Sequence, residues 1–175
     1  MVAYRFCRPD DIPLLVSAVN RCYDVHFPAA APLTVDGFRR EVREERLWPS
    51  NCMVATAGDE PVAVVLGTKT PQEVHVRRIG VAPGHQRRGH GRHLLESLGS
   101  KLAVLGPPRL VAEVPAVLAE ARAFFAALGW IEEGWIEEGW SEETIEDAGA
   151  AAAPDVAPAA VSAARVRFVT EARPA

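Results

Sequence analysis

The chain has 175 residues, 49% of them hydrophobic, with a formal net charge of −4. That suits one globular domain over residues 1–175 with a sizeable core, and it leaves no global footprint of a nucleic-acid binder. No apolar run is long enough to span a bilayer, and Met1 to Arg8 is too short and too polar for a signal peptide.

Three cysteines, Cys7, Cys22 and Cys52, are widely spaced and form no Cys-x-x-Cys pair. Neither a disulfide framework nor a zinc site is indicated, and a reducing cytoplasm is the expected compartment. In chain order, Tyr4 to Phe6 reads as a first strand, broken at Arg8-Pro9. Asp10 or Asp11 caps a helix whose apolar stripe is Ile12, Leu15, Val16, Val19, Cys22 and Tyr23. Pro28 to Pro32 is a loop, and Thr34 caps a second helix carrying Val35, Phe38 and Val42 on one face. Met53 to Ala57 and Val62 to Thr68 read as strands, joined by a turn over Gly58-Asp59-Glu60-Pro61.

Gln72 to Leu105 is the most informative stretch. Val74, Val76, Ile79 and Val81 are β-branched and suit a buried strand, which Pro83-Gly84 ends. Gln86-Arg87-Arg88-Gly89-His90-Gly91 follows, with Arg92 beyond. Leu94, Leu95, Leu98, Leu102 and Leu105 then recur at helical spacing. The loop therefore sits at a helix N-terminus, where amide groups lack partners and the dipole is positive. Gly89 and Gly91 carry no Cβ, so an anion can approach the backbone, and the arginines add charge. His85, His90 and His93 crowd the loop too, but their spacing fits no closed zinc set, so no metal is expected.

Leu110 to Val114 is a further strand. Ala121, Phe124, Phe125 and Leu128 face one side of a helix that Gly129 ends. Trp130-Ile-Glu-Glu-Gly is then repeated from Trp135, and Trp140 follows. A five-residue repeat in a continuous strand puts Trp135 on the face opposite Trp130 and Trp140, so a break at Gly134 or Gly139 is expected. The repeat begins an acidic run reaching Asp147. It reads either as a wall attracting cationic acceptors or as a solvated edge with Trp packed inward. An Ala/Pro-rich excursion at 148–160 and a last strand at about 161–170 complete the chain.

The strand, the Gln-Arg-Arg-Gly-His-Gly loop and the helix resemble the GNAT superfamily of acetyl-CoA-dependent N-acetyltransferases, whose signature is Gln/Arg-x-x-Gly-x-Gly/Ala. The element order over roughly residues 4 to 140 is similar too. The resemblance implies an α/β fold: a central mixed, mostly antiparallel sheet with a parallel crossover at the loop, flanked by about four helices. It implies that the pyrophosphate of acetyl-CoA sits on Gln86, Arg87, Arg88, Gly89, His90, Gly91 and Arg92. It also implies that the backbone of Ile79, Gly80 and Val81 bonds the pantetheine arm and the thioester carbonyl, as an added strand with an oxyanion donor. Gly80 is read as permitting a bulge and a close approach.

Acetyl transfer to an alkyl amine also benefits from a base working near neutrality. His75 lies eleven residues before Gln86, where some family members place a catalytic glutamate. Glu73, two residues earlier, points to the same face. Glu113, followed by Ala121-x-x-Phe-Phe-x-x-x-Gly-Trp, is similar to the base region of ribosomal-protein alanine acetyltransferases. His75, Glu113 and Glu73 are thus the candidate catalytic residues, each with an ordinary structural alternative as an exposed or hydrogen-bonded side chain. Two positions depart from the family pattern: Leu118 stands for the Asn that bonds pantetheine, and Phe125 for the Tyr that protonates the leaving thiolate. Tyr23 could replace that acid.

The expected function is acetyl transfer from acetyl-CoA to an amine of a small molecule or a protein N-terminus. The alternative is a non-catalytic acyl-CoA-binding module. A cationic acceptor suits the acidic run, a homodimer is compatible with the reading, and neither nucleic acid nor membrane is an expected partner.

Overall fold

The structure is a computed structural model. It describes residues 1–27, 31–45, 47–136 and 164–172. Among the described residues seven strands are hydrogen-bonded in the order β1-β2-β3-β4-β5-β7-β6. They are β1 (Val2–Phe6), β2 (Met53–Ala57), β3 (Glu60–Lys69), β4 (Glu73–Val81), β5 (Arg109–Pro115), β6 (Ile131–Ile136) and β7 (Arg165–Glu171). The α-helices among the described residues are α1 (Ile12–Cys22), α2 (Val35–Glu44), α3 (His90–Leu105) and α4 (Ala119–Ala127). The sheet is mixed: β1 to β4 pair antiparallel in succession, and β4 pairs parallel with β5. No helix among the described residues is long and apolar enough to cross a membrane. The backbone forms two compact units, residues 1–112 with 169–175, and residues 113–168.

In the first unit, Val54, Val64 and Leu66 share a cluster with Leu15, Val19 and Cys22 of α1 and with Phe38 of α2. Their strand neighbours Met53, Ala55, Ala63 and Val65 are equally buried and point to the opposite face, where α3 packs. A sheet covered on both faces explains why β3 reads as an unbroken apolar run rather than an alternating one. Leu94 and Leu98 of α3 are fully buried, each contributing roughly 2 kcal/mol of transfer free energy. The parallel β4–β5 pair requires a crossover, and the loop and α3 provide it.

Two local expectations are corrected here. Glu60 and Pro61 belong to β3, so the hairpin turn is Gly58-Asp59 alone, with Gly58 at φ +61°. The register shift opposite Ala55/Thr56 accommodates Pro61, which has no N–H to give a ladder. The bulge in β4 is not at Gly80. The β3–β4 register shifts between Leu66 and Gly67, leaving Arg77 as the extra residue, while Gly80 pairs regularly with Val64. Gly80 is required for another reason. A Cβ there would lie 2.2 Å from the Cys22 carbonyl oxygen and 2.9 Å from Tyr23 Cα, so the end of α1 rests directly on β4.

In the second unit, Phe125 of α4 stacks on Phe168 of β7 at 5.7 Å and meets Trp130 edge-on at 4.9 Å. β6 runs through Gly134 without ending there, and Gly134 absorbs the strain at φ +156°. Trp130 is buried and Trp135 exposed, the opposite facing that a five-residue repeat requires. Gly139, Trp140, most of the acidic run and the excursion at 148–160 lie outside the described residues. β7 spans Arg165–Glu171, and residues 161–163 of the stretch expected to form the last strand lie outside the described residues.

Candidate functional site

The loop between β4 and α3 has the character its sequence predicts. Pro83–His85 forms a 3-10 turn closed by His85 N–H on the Ala82 carbonyl at 2.8 Å. Arg87 takes φ +61° and Gly89 φ +83°, so the chain turns left-handed twice before entering α3. Gly89 is the N-cap and offers no side chain to the helix amides. A Cβ at Gly89 would meet nothing within 4 Å, so the space in front of it is open. Gln86, Arg87, Arg88, Gly89 and Arg92 are exposed, whereas His90 and Gly91 are buried in the first turn of the helix. Arg92 lies 3.6 Å from Glu96 one turn on. An anion at this end would meet uncapped amides, the positive end of a sixteen-residue helix and three guanidinium groups.

Beside the loop, β4 presents its backbone in two directions. The Ala82 N–H bonds the Val62 carbonyl at 2.9 Å, and alternation then turns the Gly80 groups toward β3 and those of Ile79 and Val81 away from it. Of the three residues expected to meet the pantetheine arm, Gly80 therefore spends its backbone on the sheet. The Val81 carbonyl already has side-chain neighbours, His26 Nε2 at 3.3 Å and Gln86 Nε2 at 3.4 Å.

Glu73 and His75 lie on one face of β4, and Glu73 Oε1 is 2.7 Å from His75 Nε2. Both are largely sheltered, at 15% and 23% side-chain exposure. Period-two alternation brings them together, as the sequence leads one to expect. Opposite His75 stand Thr68 of β3 and Val111 of β5. Glu113 belongs to the second unit, where Arg165 Nη1 is 4.0 Å from its Oε2.

Near the end of α1, Arg78 forks onto Glu41 of α2 at 2.6 and 3.2 Å and lies 5.9 Å over the Tyr23 ring. The Tyr23 ring lies tilted against that of Phe27, with centroids 5.0 Å apart. Burial raises the Asp24 carboxyl above its ordinary range, opposed by Arg78 and aided by Glu41.

Sequence reasoning did not find the partnership of Tyr4 with the loop. The Tyr4 hydroxyl is 2.5 Å from His90 Nδ1, and its ring lies 4.0 Å from that of His93. The only available signal is the side alternation of β1, which puts Tyr4 and Phe6 on the face opposite Arg5. Among the described residues no group of three or more His, Cys, Asp or Glu could hold a metal ion.

In the second unit, Leu118 caps α4 only through its backbone, with Arg122 N–H on its carbonyl at 3.1 Å. Phe125 is 3% exposed and packs as a core aromatic. Glu132 and Glu133 pair with Arg122 at 3.8 Å and Arg167 at 3.1 Å, and Arg122 lies 5.4 Å over Trp135. The described part of the acidic wall is thus already matched by the chain's own cations.

The family model described as "Acetyltransferase (GNAT) family" matches residues 15–130. A search of curated proteins finds no match. Among solved structures, the ribosomal-protein-S18-alanine N-acetyltransferase from Escherichia coli superposes with a TM-score of 0.68 at 21% identity, covering 98% of this chain and 94% of that one. The PaiA N-acetyltransferase from Thermoplasma acidophilum in complex with coenzyme A gives 0.65 at 10% identity, covering 98% and 99%. Arabidopsis thaliana Naa50 in complex with the bisubstrate analogue CoA-Ac-MVNAL gives 0.64 at 12% identity, covering 97% of each chain. At these identities the superpositions speak for the fold.

Proposed function

The chain belongs to the acetyltransferase (GNAT) family, and on that premise we propose that it moves an acetyl group from acetyl-CoA to an amine by direct attack. The observation that carries the reading is the loop: two left-handed residues, an uncapped helix N-terminus and three arginines in front of open space. The pyrophosphate lies on residues 86–92, and the pantetheine arm runs along Ile79 and Val81, whose backbone groups turn away from β3. On binding, the pantetheine amide replaces Gln86 and His26 at the Val81 carbonyl.

The amine nitrogen attacks the thioester carbonyl carbon, and the carbonyl electrons move onto oxygen. The tetrahedral intermediate then collapses with cleavage of the C–S bond, giving the amide and the CoA thiolate. The proton lost by the amine passes to His75, whose Nε2 is held by Glu73 and whose Nδ1 is its basic nitrogen in that tautomer. Glu113 is the second candidate for this proton. The thiolate takes its proton from solvent or from Tyr23, because Phe125 has none to give and the Tyr4 hydroxyl is engaged by His90. The acceptor is an alkyl amine of a small molecule or of a protein N-terminus. The three thiols are free, which suits the reducing cytoplasm in which we place the protein.

Phe125 and Leu118 favour a second reading, a module that binds acyl-CoA without transfer. The test is release of thiol from acetyl-CoA across a panel of amines and peptides, beside calorimetry of CoA binding to the wild type and Gly89→Glu. Thiol release that depends on an amine supports the transferase. CoA binding with no thiol release across the panel favours the module. Unchanged CoA affinity in Gly89→Glu removes the pyrophosphate from this loop.

A further inference from the structure

His90 is 8% exposed, occupies the first position of α3 and has an Nε2 that no other group meets. Its Nδ1 is 2.5 Å from the Tyr4 hydroxyl. Whichever tautomer the ring adopts, one buried nitrogen is left without a partner, a cost that proteins seldom carry without reason. His85, whose Nδ1 is also buried and unpaired, lies 6.1 Å away between ring centroids.

We propose that His90 takes up a proton when a diphosphate docks on the loop, so that coenzyme A binds with a buried imidazolium at the start of α3 and binds more tightly as pH falls. This rests on the reading of residues 86–92 as the pyrophosphate site and adds a protonation event to it.

Without ligand, burial and the neighbouring charges oppose a positive charge on the ring. Burial comes first, then the charges of His85, Arg88 and His93, and together they hold His90 below the ordinary imidazole range. The positive end of the α3 dipole acts in the same sense. β1 contributes Tyr4 on this face, and β2 (Met53–Ala57) brings no ionisable side chain. β3 and β4 also pack on α3, but none of their charged residues, Glu60, Lys69, Glu73, His75, Arg77 and Arg78, is among the charges acting on the ring, which are His85, Arg88 and His93. A docked diphosphate reverses the balance by placing two negative charges at the same helix end, and a nearby opposite charge favours the ionised form. Tyr4 makes the change structurally cheap. Its hydroxyl donates to Nδ1 of the neutral ring and accepts from Nδ1–H of the charged one, so the contact survives protonation. The unpaired Nε2 becomes a cationic donor beside the anion.

The sign follows from linkage. Ligand raises the His90 pKa, so the complex binds more protons than the free protein, and affinity rises from above the bound-state pKa down to below the free-state one. One proton limits the slope to about tenfold in Kd per pH unit.

The test uses the wild-type protein and 3′-dephospho-CoA, because the phosphate monoester of CoA itself titrates near pH 6. The His90 ring nitrogens are followed by nitrogen-15 NMR from pH 5 to 9, and calorimetry is run in buffers of different ionisation enthalpy. The expected result is a His90 midpoint raised by about one pH unit on ligand binding. Proton uptake on binding, lost in His90→Gln, is expected with it. A His90 midpoint that ligand does not move, or uptake that persists in His90→Gln, overturns the inference alone. Wild-type protein that binds no 3′-dephospho-CoA at any pH overturns it together with the coenzyme A reading.

Discussion

Glu73 Oε1 and His75 Nε2 are 2.7 Å apart on one face of β4, so the carboxylate favours the tautomer in which Nε2 carries the proton. With His75 as the proposed base, three outcomes are expected. His75→Ala lowers turnover by about a hundredfold or more with the acetyl-CoA KM little changed. Glu73→Gln gives a smaller loss in turnover, because Gln accepts the same hydrogen bond without the charge. Glu113→Gln leaves turnover near wild type. The measurement is steady-state thiol release with the best amine of the panel. The reverse pattern, with the loss at Glu113 and none at His75, moves the base to the second unit.

Gly80→Ala is expected to destabilise the fold by about 3 kcal/mol, since the neighbours are backbone atoms of Cys22 and Tyr23 that cannot rotate aside. The end of α1 must lift off β4. Urea unfolding followed by circular dichroism measures the loss, and a midpoint within error of wild type contradicts the packing described. Gly58→Ala, where no atom lies within 4 Å of a Cβ, is the contrast: its cost comes only from the left-handed φ of +61°.

The contrast between Gly80 and the loop shows what the sequence carried. The leucines of α3 and the β-branched residues of β4 announce their elements through local periodicity, and Glu73 and His75 meet because a strand has period two. The function of Gly80 depends on Cys22 in a different element, and a glycine looks the same whether it bulges, turns or admits a helix. The Tyr4–His90 contact joins residues 86 positions apart, and no local pattern encodes it. Gly134 is a local break signal through which β6 nevertheless continues, at an unusual φ, while Gly139, the other expected break, lies outside the described residues.

The three cysteines are expected to resist alkylation in the native protein. Burial pushes Cys7 up to about 12 and Cys22 and Cys52 up to about 11, so little thiolate exists at neutral pH. At pH 7.5, iodoacetamide should modify none of them over an hour and all three in denaturant, counted by mass spectrometry. Rapid labelling of any one without denaturant shows that the chain around it opens locally.

Asp11 gives a prediction about acid. Arg5 forks onto both of its oxygens at 2.7 Å, and the Arg8 N–H reaches Oδ2 at 2.8 Å. The Arg5 hydrogen bonds lead in lowering the Asp11 carboxyl from 3.8 to about 2. A carboxyl whose folded pKa lies below its unfolded one stabilises the fold above the unfolded value and loses that contribution as pH falls through the folded one. The contribution is thus complete above about pH 4 and gone a little below pH 2. Its size is held to about 1 kcal/mol or less, because the Arg5 side chain is 48% exposed and water screens the pair. Asp11→Asn should therefore unfold at a lower urea concentration than wild type at pH 6, with the gap closing as the pH approaches 2. A gap of constant size across that range would mean that packing or the Arg8 N–H contact, and not charge, sets the worth of Asp11.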